Sequence, residues 1–112
     1  MKWLALAAML VPGSALAADY SCNFRTECYE SEPCGESGFT VELRGGEDRM
    51  VTDFGTYPIL ALRDEPPLVT AFVHADSAVY LLTVNDAAAR FTAHLNDGPQ
   101  SITYLGRCER VG

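Results

Sequence analysis

The sequence predicts an all-β domain: an antiparallel meander of about seven or eight strands that forms a small barrel or sandwich pinned by disulfides. Runs rich in Val, Thr, Phe, Tyr and Leu alternate with turn-forming residues at intervals of about ten residues. Helix signals are scarce, because Ala87-Ala88-Ala89 is too short for a helix and separates two strand-like runs. Four cysteines in a short chain supply the material for the disulfides.

Eight runs are predicted as strands, and the intervening segments are rich in residues that favour turns. The runs are Tyr20–Thr26, Phe39–Leu43, Met50–Phe54, Tyr57–Arg63, Leu68–Ala75, Ala78–Val84, Ala89–Leu95 and Ser101–Cys108. Pro58 lacks the N–H that a central strand needs, so the run from 57 to 63 is predicted to lie at a sheet edge.

The late strands show alternation with a period of two, which separates the two faces of a strand. One face is apolar and is predicted to form the core: Val69, Ala71, Val73, Ala78, Tyr80, Leu82, Val84, Ala89, Phe91, Ala93, Leu95, Ile102, Tyr104 and Gly106. The opposite face carries Leu68, Phe72 and Leu81. It is too apolar for a fully solvated sheet, so we expect the N-terminal segment or a partner to cover part of it.

The first 18 residues have the layout of a secretory signal peptide, leaving residues 19–112 as a single domain. Met1-Lys2 is positive, an apolar run follows, and the segment ends in small residues with A-x-A spacing. Asp19-Tyr20-Ser21 precedes Cys22, which is not the sequence of a lipoprotein signal. We therefore expect a soluble protein in the periplasm or outside the cell, with no membrane span after cleavage.

The net negative charge of the chain limits the classes of molecule that it could bind. The whole chain has a formal net charge of −7, and the domain without its leader has no Lys, no Trp, seven Arg and fifteen carboxylates, which gives −8. A nucleic-acid-binding protein needs the opposite sign to displace the counterions of phosphate groups. The sequence therefore argues against nucleic acid and is compatible with a basic protein as the partner.

The four cysteines are Cys22, Cys28, Cys34 and Cys108, and export favours disulfides among them. Three connectivities are possible. We favour Cys28–Cys34 as a small local loop and Cys22–Cys108 as a clasp between the termini. A zinc site is disfavoured, because zinc ligands usually come in pairs separated by two to four residues.

No catalytic, cofactor-binding or metal-binding site is predicted, and the chain is expected not to be an enzyme. His74, Asp76 and Ser77 are the residue types of a hydrolytic triad, but residues so close in one tight turn rarely reach triad geometry. Asp76 and Ser77 are better explained as turn formers. His74 and His94 are expected about 9–10 Å apart, two strand spacings, which is long for ligands of one metal. A small hydrolase is kept only as an alternative.

Carboxylates cluster around the first three cysteines. They are Glu27, Glu30, Glu32 and Glu36, with Glu47 and Asp48 following later. No calcium-loop pattern of ordered oxygen ligands is present. Two interpretations stay open: a solvated acidic loop, and an electrostatic patch for a basic protein.

The architecture resembles the periplasmic c-type lysozyme inhibitor family. Tyr20-Ser21-Cys22 is similar to the family's opening Y-x-C, Ser77-Ala78-Val79-Tyr80 is similar to its S-x-x-Y signature, and Cys108 stands where its closing cysteine would be. The resemblance implies an antiparallel barrel pinned by a terminal disulfide. It also implies a loop inserted into the lysozyme cleft, making Asp76, Ser77 and Tyr80 a candidate partner-binding loop. The family's aromatic-plus-Lys segment has no counterpart here, and Cys28 and Cys34 are additional.

The C-terminal segment from Asn96 to Cys108 is similar to the ends of uncharacterised small secreted proteins of alphaproteobacteria, a resemblance that implies no activity. The leading expectation is an exported non-enzymatic barrel with a binding or envelope-associated role. The alternative is an inhibitor of a cationic hydrolase such as c-type lysozyme.

Overall fold

The computed structural model describes residues 18–111, which form eight β-strands and one turn of 3-10 helix, Gly45–Glu47. The strands are β1 (Asp19–Tyr29), β2 (Gly35–Arg44), β3 (Arg49–Thr52), β4 (Gly55–Glu65), β5 (Leu68–His74), β6 (Ala78–Val84), β7 (Ala89–Leu95) and β8 (Ser101–Arg110). All eight predicted strands are present in the predicted order. β3 is shorter than expected, because Asp53 and Phe54 form the turn to β4.

The strands form a closed antiparallel barrel in which each strand pairs with its neighbours in sequence and β8 pairs with β1. The all-β prediction is confirmed, and a barrel rather than a sandwich is the architecture. The closing pairing runs along most of β1, from Tyr20 opposite Arg110 to Tyr29 opposite Ile102. A closed barrel leaves no unpaired strand edge, which removes the usual route to edge-to-edge aggregation.

The interior contains the alternate residues that the period of two predicts. In β6 and β7, Ala78, Tyr80, Leu82, Phe91 and Ala93 are all buried. The N-terminal strands complete the same core, with buried Cys22, Phe24, Phe39, Val41, Leu43 and Met50. Burying each large apolar side chain stabilises the fold by roughly 1.5–3 kcal/mol relative to leaving it exposed.

Two expectations about the surface need correction. The strand containing Pro58 is not an edge strand, and Pro58 is tolerated because it faces Arg49 at the last pair of the β3–β4 ladder. The N-terminal segment does not cover the apolar outer face, because its residues form β1 within the barrel wall. Leu68, Phe72 and Leu81 therefore remain exposed.

Both favoured disulfides are present. Cys22 and Cys108 are directly opposite each other on β1 and β8, so this bond crosses the closing pairing of the barrel. Cys28–Cys34 connects the end of β1 to the residue before β2. Disulfides are typical of proteins outside the reducing cytosol.

The predicted signal peptide lies outside the described residues except for its last residue, Ala18. No helix between residues 18 and 111 has the length and apolar character needed to span a bilayer.

A β-bulge at Arg25 changes the direction of the side chains along β1. Phe24 pairs with Gly106 and Thr26 pairs with Leu105, so Arg25 is the extra residue of β1 in the β1–β8 ladder. The β1–β2 register shifts at the same place, where Phe24 pairs with Phe39 and Thr26 with Glu36, so on that side the extra residue belongs to β2. Phe24 is buried and Arg25 is exposed. After the bulge the alternation shifts by one residue, which brings Glu27 opposite Tyr104, a residue of the interior set.

We expect the clasp to stabilise the fold more than the local disulfide does. The clasp links residues 86 apart and the local bond residues 6 apart. Chain entropy gives upper limits of about 4.6 and about 2.4 kcal/mol respectively. Replacing Cys22 and Cys108 by Ala should lower the midpoint of urea unfolding clearly more than replacing Cys28 and Cys34. An equal or reversed effect would contradict this account of the closure.

We expect Gly106→Ala to destabilise the protein by about 2 kcal/mol or more, the upper part of the range for overpacking. A Cβ at Gly106 would overlap the backbone oxygen of Asn23 and the Cα of Phe24, so strand β1 itself would have to move. Gly38→Ala is the matched control, because a Cβ there meets nothing within 4 Å. Urea unfolding of both variants measures the difference, and equal effects would show that β1 and β8 are not so closely apposed.

Candidate functional site

Four loops lie at one end of the barrel, which we call the mouth: residues 30–34, 53–54, 75–77 and 96–100. All four connect strands that pair with each other, and none is longer than five residues. Residues 30–34 are held by the Cys28–Cys34 disulfide and by Glu30, whose carboxylate accepts a hydrogen bond of 2.6 Å from the N–H of Ser101. The loops are therefore anchored to the barrel wall, as a preformed binding site requires.

A pocket of about 440 Å³ opens at the mouth. Its walls include the rings of Phe54, Tyr57, Tyr80 and Tyr104. Leu95 and Ile102 add aliphatic surface, and Asp76 and Ser77 contribute to the rim. Aromatic walls with a few polar groups are typical of binding sites for organic ligands and side chains.

The aromatic walls rest on the aromatic core of the barrel. The rings of Tyr104 and Phe39 are stacked with centroids 4.4 Å apart, and Tyr80 lies 5.0 Å from Phe91. Tyr57 meets Tyr80 edge to face at 5.8 Å. Because buried rings support them on the inner side, these tyrosines have fixed orientations and need little ordering when a ligand binds.

Phe54 is the most exposed large apolar side chain among the described residues, at 64%. The turn that carries it is fixed by Thr52, whose hydroxyl accepts a hydrogen bond from the Phe54 N–H and donates one to the Gly55 carbonyl. One side of the Phe54 ring packs on Phe39 with centroids 5.5 Å apart. The other side is presented to solvent at the mouth, as an aromatic anchor for a partner would be.

Three carboxylates lie close to the tyrosines. Glu27 and Asp53 are near enough to Tyr104, and Asp76 near enough to Tyr80, to act on the titration of those phenols. Burial, together with Glu27 and Asp53, raises the pKa of Tyr104. Burial first, and then the neighbouring Tyr57, raises the pKa of Tyr80 to about 12. Both phenols are therefore neutral hydrogen-bond donors in the physiological range.

Charge is unevenly distributed along the barrel. The half nearer the mouth, divided at the strand midpoints, has one arginine, Arg25, and seven carboxylates: Glu27, Glu30, Glu32, Glu36, Asp53, Asp76 and Asp97. The opposite half has six arginines and eight carboxylates. The formal charges are −6 and −2, so most of the excess negative charge surrounds the mouth. The four glutamates that cluster around the first three cysteines in the sequence all belong to the half nearer the mouth, whereas Glu47 and Asp48 lie at the opposite end of the barrel.

The structure brings the three residues of the candidate partner-binding loop to the pocket. Asp76 and Ser77 are exposed on its rim, and Tyr80 forms part of its wall with only 3% of its surface exposed. Sequence reasoning missed Phe54, Tyr57 and Tyr104 as site residues. Their shared signal is an aromatic side chain close to a predicted turn at one end of the sheet.

The residue types of the hypothetical triad are not brought together. His74 is exposed on the outer face of β5, whereas Ser77 is on the rim of the pocket. No hydrogen bond within residues 18–111 joins the side chains of His74, Asp76 and Ser77. His74 on β5 and His94 on β7 each pair with Val79 of β6, which lies between them, as the predicted registers require. In the described part of the chain, no group of three or more His, Cys, Asp or Glu is arranged to hold a metal ion.

Comparisons with protein-family models, with curated proteins and with solved structures found no match to the chain. The geometry and charge of the mouth are therefore the features that point to a function.

We expect the stability of the protein to fall between about pH 10 and 12, and Tyr80→Phe to reduce that fall. The unfolded phenol titrates near 10 and the folded Tyr80 near 12, so the unfolded state loses its proton first and is favoured as the pH rises through this window. Below pH 10 the contribution of the Tyr80 phenol to the free energy of unfolding is fully present. Chemical unfolding followed by circular dichroism at several pH values measures it. Parallel pH curves for the two proteins would contradict the burial of this hydroxyl.

Proposed function

We propose that the protein is an exported, non-enzymatic binding protein that binds a basic protein through the mouth of its barrel. The observation that carries the proposal is an open aromatic pocket at the end of the molecule where seven of the fifteen carboxylates are found. The leader-like residues 1–18 and the two disulfides support export to the periplasm or beyond.

Electrostatics favours a cationic partner. A mouth of formal charge −6 attracts a basic surface over about a Debye length, roughly 8–10 Å at physiological salt, and repels acidic proteins and nucleic acids. Such complementarity acts mainly on the association rate and on the choice of partner. Affinity must then come from desolvated contacts near the centre of the interface.

The pocket can provide those contacts by taking one arginine or lysine side chain. The aliphatic stem of such a side chain would lie on Leu95 and Ile102, and its charged head would reach the aromatic rings. A cation against a Tyr or Phe ring gains about 0.5–1 kcal/mol when exposed and about 2 or more when desolvated. The carboxylates of Glu27 and Asp76 would complete the charge balance.

A fluorescent hexa-arginine peptide tests the proposal by anisotropy at low salt. We expect saturable binding that weakens about tenfold in the double variant Glu27→Gln, Asp76→Asn, because Asp76 lines the pocket and the Glu27 carboxylate lies close to Tyr104 of the pocket wall. The matched control is Asp64→Asn, Asp86→Asn, which removes the same charge from the other half of the barrel. Equal weakening by both double variants would show that net charge alone drives binding, and the proposed site would be wrong.

A second candidate is an inhibitor of a cationic hydrolase such as c-type lysozyme. The observation that favours it is the placement of Ser77 and Tyr80 at one acidic pocket, matching the loop that the family resemblance implies. If this candidate is correct, the purified protein lowers lysozyme turnover of cell walls. Ser77→Ala combined with Tyr80→Phe should relieve that inhibition; Phe is preferred to Ala because Tyr80 is buried and truncation would leave a cavity.

Lysozyme activity unaffected by a large excess of the protein would remove this candidate while leaving the binding of other basic proteins open. Inhibition that survives the double substitution would assign it to a surface other than the Ser77–Tyr80 loop.

A further inference from the structure

A second concave site lies on the outer wall of the barrel, away from the mouth pocket. It is an open groove of about 510 Å³, and three exposed arginines, Arg25, Arg90 and Arg107, line it. Asn23 and Thr26 contribute polar side chains, and Leu105 lies between the arginines on β8. In a domain with about two carboxylates for each arginine, three arginines around one groove form a local reversal of charge.

The strand registers bring the three arginines together. Arg90 on β7 faces Leu105 on β8, and Arg107 is two residues further along β8 on the same outer face. On the other side of β8, Arg25 is the bulged residue of β1, between the partners of Leu105 and Gly106. Arg25 and Arg90 therefore flank β8 from two sides, roughly 9–10 Å apart at the backbone, a distance that their long side chains can span.

None of these arginines forms an ion pair with a carboxylate within residues 18–111, whereas Arg44 and Arg63 each do so with a neighbouring glutamate. Arg90 donates one hydrogen bond of 3.0 Å to the carbonyl of Ala89, which leaves its other N–H groups available. The carboxylate that lines the groove is Glu109, and Glu36 borders Arg25 on the β2 side.

We propose that this groove binds a phosphoryl group, presented by a phosphorylated solute or by a lipid headgroup. The guanidinium group is planar and always charged, and its paired N–H donors match phosphate oxygens in bidentate fashion. Three such groups from three adjacent strands can bind the several oxygens of one phosphate. The charge of −8 on residues 19–112 gives no long-range attraction for an anion, so binding depends on these local donors.

The groove has no role in the proposed binding of a basic protein, because its charge has the opposite sign and it opens on the outer wall. The two proposals can therefore fail independently. A molecule with both sites would attach to a phosphate-bearing surface by its wall and leave its mouth free for a basic partner.

Nuclear magnetic resonance titration of the folded, 15N-labelled protein with inorganic phosphate tests the proposal at constant ionic strength. We expect saturable shifts in the Nε–H signals of the three arginines and in the backbone amides of Leu105 to Arg107. Substituting Gln for all three arginines should abolish them, and each single substitution should weaken binding about tenfold. Arg49→Gln, an exposed arginine elsewhere on the barrel, is the matched control.

Glu109→Gln gives a test that does not depend on removing arginines. Loss of this carboxylate from the groove should strengthen phosphate binding several-fold, since a like charge no longer opposes the ligand. Flotation with phosphatidylglycerol vesicles, against phosphatidylcholine vesicles, then distinguishes the sources. If the protein responds to phosphate and also binds the anionic vesicles, the phosphoryl group is that of a lipid headgroup. If it responds to phosphate and does not bind the vesicles, the phosphoryl group is that of a solute.

Chemical-shift changes that sodium chloride reproduces at the same ionic strength would overturn the proposal. Changes that persist in the triple variant would overturn it as well. Concentration-dependent self-association that the triple variant abolishes, with no response to phosphate, would also overturn it. In that case the groove would instead bind the acidic mouth of a second copy of the chain.

Discussion

The pairing of β1 with β8 is the constraint on which the rest of the structure depends. These strands come from the two ends of the domain, and their hydrogen bonds turn an open meander into a closed barrel. The Cys22–Cys108 bond crosses this pairing and limits how far the unfolded chain can expand. Gly106 has no side chain, and this allows β8 to lie close against the backbone of Asn23 and Phe24 beside the bulge. Once the barrel is closed, alternate loops gather at one end and define the mouth.

The single extra residue in β1 connects the fold to both proposed sites. Arg25 is exposed on the outer wall, where it completes the arginine groove. The shift in alternation that follows places Glu27 opposite Tyr104, where its carboxylate acts on the phenol. A regular strand would have kept Glu27 on the outer face. The bulge thus adds a carboxylate to the mouth and an arginine to the groove, consistent with the known use of bulges to redirect side chains near functional sites.

Local patterns were sufficient to predict the eight strands and the buried faces of the late strands, because a period of two is a property of neighbouring residues. Both disulfides were favoured from the cysteine spacing among three possible connectivities, although Cys22 and Cys108 lie 86 residues apart in the sequence. Closure was left open between barrel and sandwich, because it depends on pairing between distant strands. The edge position expected from Pro58 was wrong for the same reason: in a closed barrel it occupies the end of a ladder. The role of Glu27 at the mouth could not be predicted, since no residue type marks a bulge. The mouth pocket is assembled from four strands and two turns, so only its Asp76–Tyr80 segment could be recognised as a candidate from the sequence.

We propose above all that the acidic aromatic mouth recognises a cationic group. The most direct measurement is a chemical-shift map of the 15N-labelled protein titrated with arginine amide at constant ionic strength. We expect saturable shifts concentrated at Phe54, Tyr57, Tyr80 and Tyr104, with little change in the loops at the opposite end of the barrel. Shifts that are absent from the mouth, or that spread evenly over all acidic residues, would contradict it.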